Sequence, residues 1–208
     1  EQVYRNPVIC QQKEQKEIIY TEEQRTAIQT FSRDYEQGLR KTYLLYGVTG
    51  SGKTEVYMEM IAKVLSEGRQ AIVLIPEIAL TYQTVMRFYT RFGERVSILN
   101  SRMSQGERYD QMERVKKGEV DIMIGPRSAL FTPFERLGLI VIDEEHEPTY
   151  KSEQVPRFHA RETAIERARM EGASVVLGSA TPSLEAFYAC ECGRYQTVSY
   201  THLRAHET

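Results

Sequence analysis

Short apolar runs alternate with longer stretches of helical spacing along most of this 208-residue chain. The runs fall at residues 43–46, 71–75, 96–99, 121–125, 139–142 and 174–177, each too short for a helix and each read as a strand. Between most of them lie helical stretches at 55–65, 78–92, 105–117 and 160–170. Upstream, Thr21-Glu-Glu-Gln24 has the form of a helix start with Thr21 as N-cap. Ala27, Ile28 and Phe31 would give that helix an apolar side. A further helix is expected to begin near Pro182. Strands that are apolar throughout, rather than alternating, are buried on both faces. The pattern therefore predicts an α/β fold with a parallel central sheet and helices on both faces.

The chemically unusual residues follow the strands. Residues 47–54 read Gly47-Val48-Thr49-Gly50-Ser51-Gly52-Lys53-Thr54, which fits the P-loop pattern without mismatch. An apolar strand precedes it and a helix follows it. Glycines suit a loop whose backbone N–H groups converge on phosphate oxygens, and the helix dipole adds to the attraction. Lys53 would bring a cation to the β- and γ-phosphates, and Thr54 a hydroxyl to Mg²⁺. While no nucleotide is bound, Lys53 is expected to face solvent.

Residues 139–146 read as an apolar strand ending in Asp143-Glu144-Glu145-His146. Alone, such an ending could be a solvated acidic turn. Beside a P-loop it reads as a metal- and water-activating site, with Asp143 holding the ion opposite Thr54. Glu144 would orient the attacking water or take its proton. Pro76-Glu77, Pro126-Arg127-Ser128 and Gly178-Ser179-Ala180-Thr181 follow other strands. In open α/β sheets ligands bind at the carboxyl ends of the strands, so these loops would share one edge.

Composition changes little. With 27 basic and 29 acidic residues the net charge is −2, which neither requires nor excludes a nucleic-acid partner. Cys10, Cys190 and Cys192 make no disulfide framework, so a cytoplasmic location is expected. Cys190 and Cys192 lack the second pair a zinc site would need. No apolar run approaches the ~20 residues of a membrane span, and no signal peptide is visible.

Taken in order, the P-loop with its Glu-Val-Tyr extension, Leu-Ile-Pro-Glu-Ile-Ala-Leu-Thr, Gly-Pro-Arg-Ser-Ala-Leu-Phe, Asp-Glu-Glu-His and Gly-Ser-Ala-Thr-Pro-Ser-Leu-Glu resemble the first motor lobe of a superfamily 2 helicase. The Asp-Glu-Glu-His form, with Tyr150-Lys151 and Arg157-Phe158-His159-Ala160-Arg161 after it, is similar to the replication-restart branch. The resemblance covers about residues 3–197. It implies a RecA-like lobe that binds ATP and Mg²⁺, taken from an ATP-dependent 3′→5′ DNA helicase of replication restart and primosome assembly. Its partners would be forked or single-stranded DNA and other primosome proteins, with no membrane. Zinc belongs to that family, but its ligands are not in this chain.

Residue by residue, the resemblance implies that Gln24 senses adenine, whose edge an amide can both donate to and accept from. Lys53, Asp143, Glu144 and His146 would form the catalytic group; His146 is otherwise an exposed turn residue. Ser179 and Thr181 would link the acidic turn to strand movement, or else merely cap the following helix. Arg127 and Ser128 would lie along the DNA backbone. Tyr150, Lys151, Arg157, Phe158, His159 and Arg161 would form a loop that senses single-stranded DNA by stacking and charge. That loop is expected to couple DNA to hydrolysis rather than to hold the fold, although Phe158 could equally fill core space.

Residues 1–17 are expected to be a linker from upstream DNA-binding modules, and 18–197 the ATP-binding lobe. Residues 198–208 resemble a translated sequencing adapter, which would leave His202 and His206 without function. The sequence opens on Glu1 and lacks the arginine fingers of a second lobe, so it is expected to be a half-motor that binds nucleotide without unwinding DNA. The alternatives are a RecG-like or restriction-type translocase lobe, or a non-catalytic nucleotide-regulated DNA-binding module.

Overall fold

The computed structural model describes residues 18–48 and 50–199. The expected linker at 1–17 with Cys10, the P-loop residue Thr49, and the tail from 200 onward with His202 and His206 lie outside the described residues.

The chain alternates as its apolar pattern requires. In order come α1 (Glu22–Glu36), β1 (Thr42–Tyr46), α2 (Lys53–Ser66), β2 (Gln70–Leu74), α3 (Tyr82–Phe92), β3 (Val96–Ile98), α4 (Gln105–Lys116), β4 (Ile122–Gly125), β5 (Leu137–Ile142), α5 (Ala160–Glu171), β6 (Ser174–Ser179), α6 (Leu184–Glu191) and β7 (Gln196–Ser199). The strands form one parallel sheet in the order β3-β4-β2-β5-β6-β1-β7. Along β5, Leu139 and Val141 face a core shared with α1, α2 and α3. Ile140 and Ile142 face the opposite core, built with α4, α5 and α6. Burial on both faces is why these strands lack polar alternation.

Local caps set the boundaries. The Thr21 hydroxyl accepts from Gln24 N at 3.3 Å, and Gln24 Oε1 accepts from Thr21 N at 2.9 Å, a reciprocal capping box. The helix expected over 78–92 begins later, at Tyr82, because Thr81 caps it by accepting from Thr84 N at 3.2 Å. Ser183 caps α6 in the same way, through Ala186 N at 3.2 Å. The strand β7 is an addition to the expected set. Its polar, edge-lying sequence carries no apolar run, and only Val198 enters the core. The boundary expected at residue 197 falls inside this strand.

Parallel order carries the loops after β1, β2, β4, β5 and β6 to one edge of the sheet. Among the described residues no helix is long and apolar enough to cross a membrane, and Cys190 and Cys192 are free thiols.

Candidate nucleotide site and the adjoining loop

The P-loop joins β1 to α2. Gly50 and Gly52 have φ of +81° and +80°, a region that L side chains rarely enter. A Cβ on Gly52 would also lie 2.5 Å from Gln24 Nε2. That amide nitrogen donates to Ser51 O at 2.7 Å, so Gln24 ties the start of α1 to the loop. The Gln24 amide is engaged within the protein at both ends. One N–H and one oxygen lone pair remain for a further partner.

Lys53 does not face solvent, as the sequence led us to expect; only 6% of it is exposed. Its ammonium donates to Gly47 O at 2.8 Å, curling back over the loop that carries it, and lies 3.8 Å from Glu144 Oε1. An ammonium held inside the curl of the loop keeps its hydrogen bonds by borrowing backbone carbonyls. Among the described residues, Ser51 Oγ is buried in this loop without a hydrogen-bond partner. An orphaned hydroxyl, converging backbone and a nearby cation fit an oxygen-rich anion. Thr54 and Asp143 supply the hard oxygen donors that Mg²⁺ takes.

The acidic turn follows β5. Tyr57, one turn after Lys53 on α2, donates its hydroxyl to Asp143 Oδ1 at 3.0 Å. Gly178 makes room for this contact, because a Cβ there would overlap the Tyr57 hydroxyl. Burial first, and then the neighbouring Glu144 charge, hold the Asp143 carboxyl above its ordinary range, against the Tyr57 hydrogen bond and Lys53. Glu144 has φ of +47°, a left-handed conformation that costs a non-glycine residue about 1–2 kcal/mol. That kink ends the strand alternation. Asp143 faces α2, while Glu145 faces α5 and α6.

His146 lies between two hydroxyls. Its Nδ1 is 2.7 Å from Ser179 Oγ and its Nε2 is 3.4 Å from Thr181 Oγ1. The Thr181 backbone N–H donates to Ser179 Oγ at 3.0 Å, and Gly47 N donates to Ser179 O at 3.1 Å. The P-loop, the acidic turn and the end of β6 are thus joined through Ser179.

The residues expected to face DNA differ from that role in three places, two in the loop after the acidic turn and one, Arg127, in the turn after β4. Tyr150 is 1% exposed and cannot stack on a base in this arrangement. Its hydroxyl donates to Asp143 O at 2.7 Å and to Leu74 O at 3.1 Å, so it braces the ends of β5 and β2. Arg161 is also buried, at 6% exposure, and its guanidinium is spent on Glu145 at 3.1 Å and Ser183 Oγ at 2.6 Å. Arg127 points its Nη1 at Thr149 O and Lys151 O, at 2.7 and 2.9 Å. It fastens the turn Pro148–Tyr150 instead of standing free. Each of these groups found a protein partner because burial makes an unpaired polar group costly.

Ser128, Lys151 and Arg157 are exposed. Phe158 packs partly into the core and meets the exposed Phe131 edge-on, with ring centres 5.2 Å apart. His159 caps α5 through Nδ1, which accepts from Arg161 N at 3.3 Å. Tyr57, Phe131, Glu145 and Ser183 were not singled out from sequence. Tyr57 was legible, since four residues after Lys53 on a helix places it on the same face. Glu145 was not, because only the backbone kink at Glu144 separates it from Asp143.

The model of the DEAD/DEAH box helicase family matches residues 21–188. The replication restart protein PriA of Bacillus subtilis is 48% identical over 203 residues, covering 97% of this chain and 25% of that protein. The replication restart protein PriA of Haemophilus influenzae is 48% identical over 154 residues, covering 74% and 21%. The chain thus spans about a quarter of the length of these curated relatives. Among solved structures, RecG bound to a three-way DNA junction matches with a TM-score of 0.65 at 22% identity, over 88% of this chain and 24% of that one. A DEAD box protein from Methanococcus jannaschii matches at 0.61 and 17% identity, over 86% and 49%. At these identities the structural matches speak for the fold alone.

Proposed function

This chain belongs to the DEAD/DEAH box helicase family, and on that premise we propose that it is the ATP-binding motor lobe of a PriA-type, ATP-dependent 3′→5′ DNA helicase of replication restart. The observation that carries the reading is the meeting of P-loop and acidic turn, with Lys53 Nζ 3.8 Å from Glu144 Oε1. On this reading Lys53 swings from the Gly47 carbonyl to the β- and γ-phosphates of ATP, which leaves Glu144 free to orient the attacking water. Thr54 and Asp143 would hold Mg²⁺, which when bound would supply positive charge beside the phosphate oxygens. His146 reports the state of that turn to Ser179 and Thr181. Gln24 turns its remaining donor and acceptor to adenine.

The DNA-facing surface is the exposed side of the loop: Ser128, Lys151, Arg157 and the Phe131–Phe158 pair. An aromatic face beside cations suits single-stranded DNA without sequence preference. Arg127, Tyr150 and Arg161 belong to the scaffold beneath it. A cytoplasmic setting among other primosome proteins accompanies this reading, as does zinc elsewhere in the longer protein. The RecG-like alternative shares the P-loop and the fold, but the 48% identity to PriA proteins over most of this chain favours the restart branch.

The test is Lys53→Ala, with fluorescent-nucleotide titration of the chain and DNA-stimulated ATPase of a longer protein carrying it. Nucleotide affinity is expected to fall at least tenfold and stimulated turnover to vanish. The fold should persist, with one hydrogen bond lost at a cost of about 1 kcal/mol. Unchanged turnover would refute the assignment.

A further inference from the structure

Glu145 is the one carboxylate of the acidic turn given no role in hydrolysis, yet it is the most deeply buried: its side chain is fully enclosed. Oε1 accepts from Ser183 N at 2.6 Å. Oε2 accepts from Ser183 Oγ at 3.0 Å and from Arg161 Nη1 at 3.1 Å. Arg161 Nη1 also reaches Ser183 Oγ at 2.6 Å. Three segments therefore close on one buried ion pair: the acidic turn, the first turn of α5 where the loop ends, and the N-cap of α6. Glu145 N also donates to Gly178 O at 2.9 Å, so β6 joins the cluster. Glu144 is flanked on the backbone by Asp143, bound to Tyr57, and by Glu145, bound to Arg161. Its backbone is therefore held between two side-chain contacts made by its neighbours.

We propose that Glu145 and Arg161 are positioning residues, a buried clasp that makes the acidic turn, the end of the DNA-facing loop and the start of α6 move as one unit. The inference rests on the nucleotide-binding reading above. A change at the P-loop would reach residues 160–163 through Glu145 and Arg161, and displacement of the loop would reach Glu144 by the same route in reverse. Ion pairs sealed from water are often dispensable for stability when both partners become apolar, whereas loss of one partner strands a buried charge. A clasp kept only for stability should thus be replaceable by an apolar pair; one kept for coupling should not.

The experiment is hydrogen exchange on this chain with and without ADP and Mg²⁺, for the wild type and for Glu145→Met with Arg161→Met. In the wild type, nucleotide should slow exchange at residues 47–54 and also, at least threefold, at 160–163 and 181–184. The double variant should keep the first effect, with nucleotide affinity within twofold of wild type, and lose the second. In a longer protein carrying the chain, its DNA-stimulated increment in kcat should fall at least tenfold while KM for ATP changes less than twofold. Should the double variant not fold, Arg161→Lys decides: it keeps the charge, loses the fork and should at least halve the remote protection. Remote protection that survives either change, or that is absent from a wild type protected at 47–54, would overturn the clasp alone. A wild type with no protection at 47–54 would overturn the nucleotide reading and the clasp together.

Discussion

At the scale of the residue, this site stores unfavourable chemistry. Asp143 sits in a place that resists its charge, and burial is the leading cause. Its folded pKa is raised above the unfolded value, so within that interval the native state keeps a proton the unfolded state has released. Stability therefore falls as pH rises through the interval. Asp143→Asn removes the charge and keeps an Oδ1 acceptor for Tyr57. It should melt higher than wild type at pH 7, by ~2–4 °C for each kcal/mol relieved in a domain of this size. The difference should shrink as pH falls through the ordinary carboxylate range and vanish well below it, where the Asp143 carboxyl is neutral in folded and unfolded chains alike. Paired thermal melts across pH read this directly. A lower midpoint at pH 7 would mean that attraction to Lys53 outweighs burial. Turnover in a longer protein should be lost either way, the usual exchange of stability for activity at a working site.

The elements show what a sequence can and cannot disclose. All six apolar runs became strands, because continuous apolar character over a few residues has few other uses between helices. The edge strand β7 escaped notice because one covered face needs only Val198. The place of the P-loop between β1 and α2 was legible, since its pattern is local in sequence, but the burial of Lys53 was not. The loop after β5 was not, because its aromatic and basic residues look alike whether they face DNA or the core. Tyr150 sits in the short 3₁₀ turn Pro148–Tyr150, and its two hydrogen bonds to Asp143 O and Leu74 O decide its place. The sequence led us to expect that its truncation would spare the fold. The geometry predicts otherwise: Tyr150→Ala empties a fully buried ring site and should cost about 3–5 kcal/mol. Tyr150→Phe keeps the ring and leaves the Asp143 carbonyl short of its hydroxyl donor, while Leu74 O keeps Asp143 N at 2.9 Å, costing about 1–3 kcal/mol. Urea denaturation of both variants would distinguish core bracing from surface duty. A Tyr150→Ala midpoint equal to wild type would show that the ring is not needed where it lies.

For the whole molecule, the question is how far one lobe goes by itself. On the proposed reading, ground-state contacts to phosphate would come from the P-loop backbone, Lys53 and Thr54, all carried by α2 and the loop before it. Interactions made only in the transition state are what raise kcat. In phosphoryl transfer an arginine that meets the developing charge is worth about 10³–10⁵ in rate. The chain spans about a quarter of its PriA relatives, and the cation beside Glu144, Lys53, is the P-loop lysine, which on the proposed reading serves binding. Two arginines packed beside that turn and the loop after it, Arg161 and Arg127, are spent on Glu145 and on loop carbonyls. We therefore expect the 208-residue chain to bind ADP and ATP weakly and to hydrolyse ATP at least a hundredfold more slowly than a longer protein carrying it. Single-stranded DNA should leave that slow rate unchanged within about twofold, since no second lobe closes over the nucleotide. The chain contains no tryptophan, so a fluorescent nucleotide can be titrated against a quiet background and compared with steady-state turnover of both proteins. Turnover by the chain alone that matches the longer protein and responds to DNA would show that the lobe holds its own transition-state contacts, and would end the half-motor interpretation.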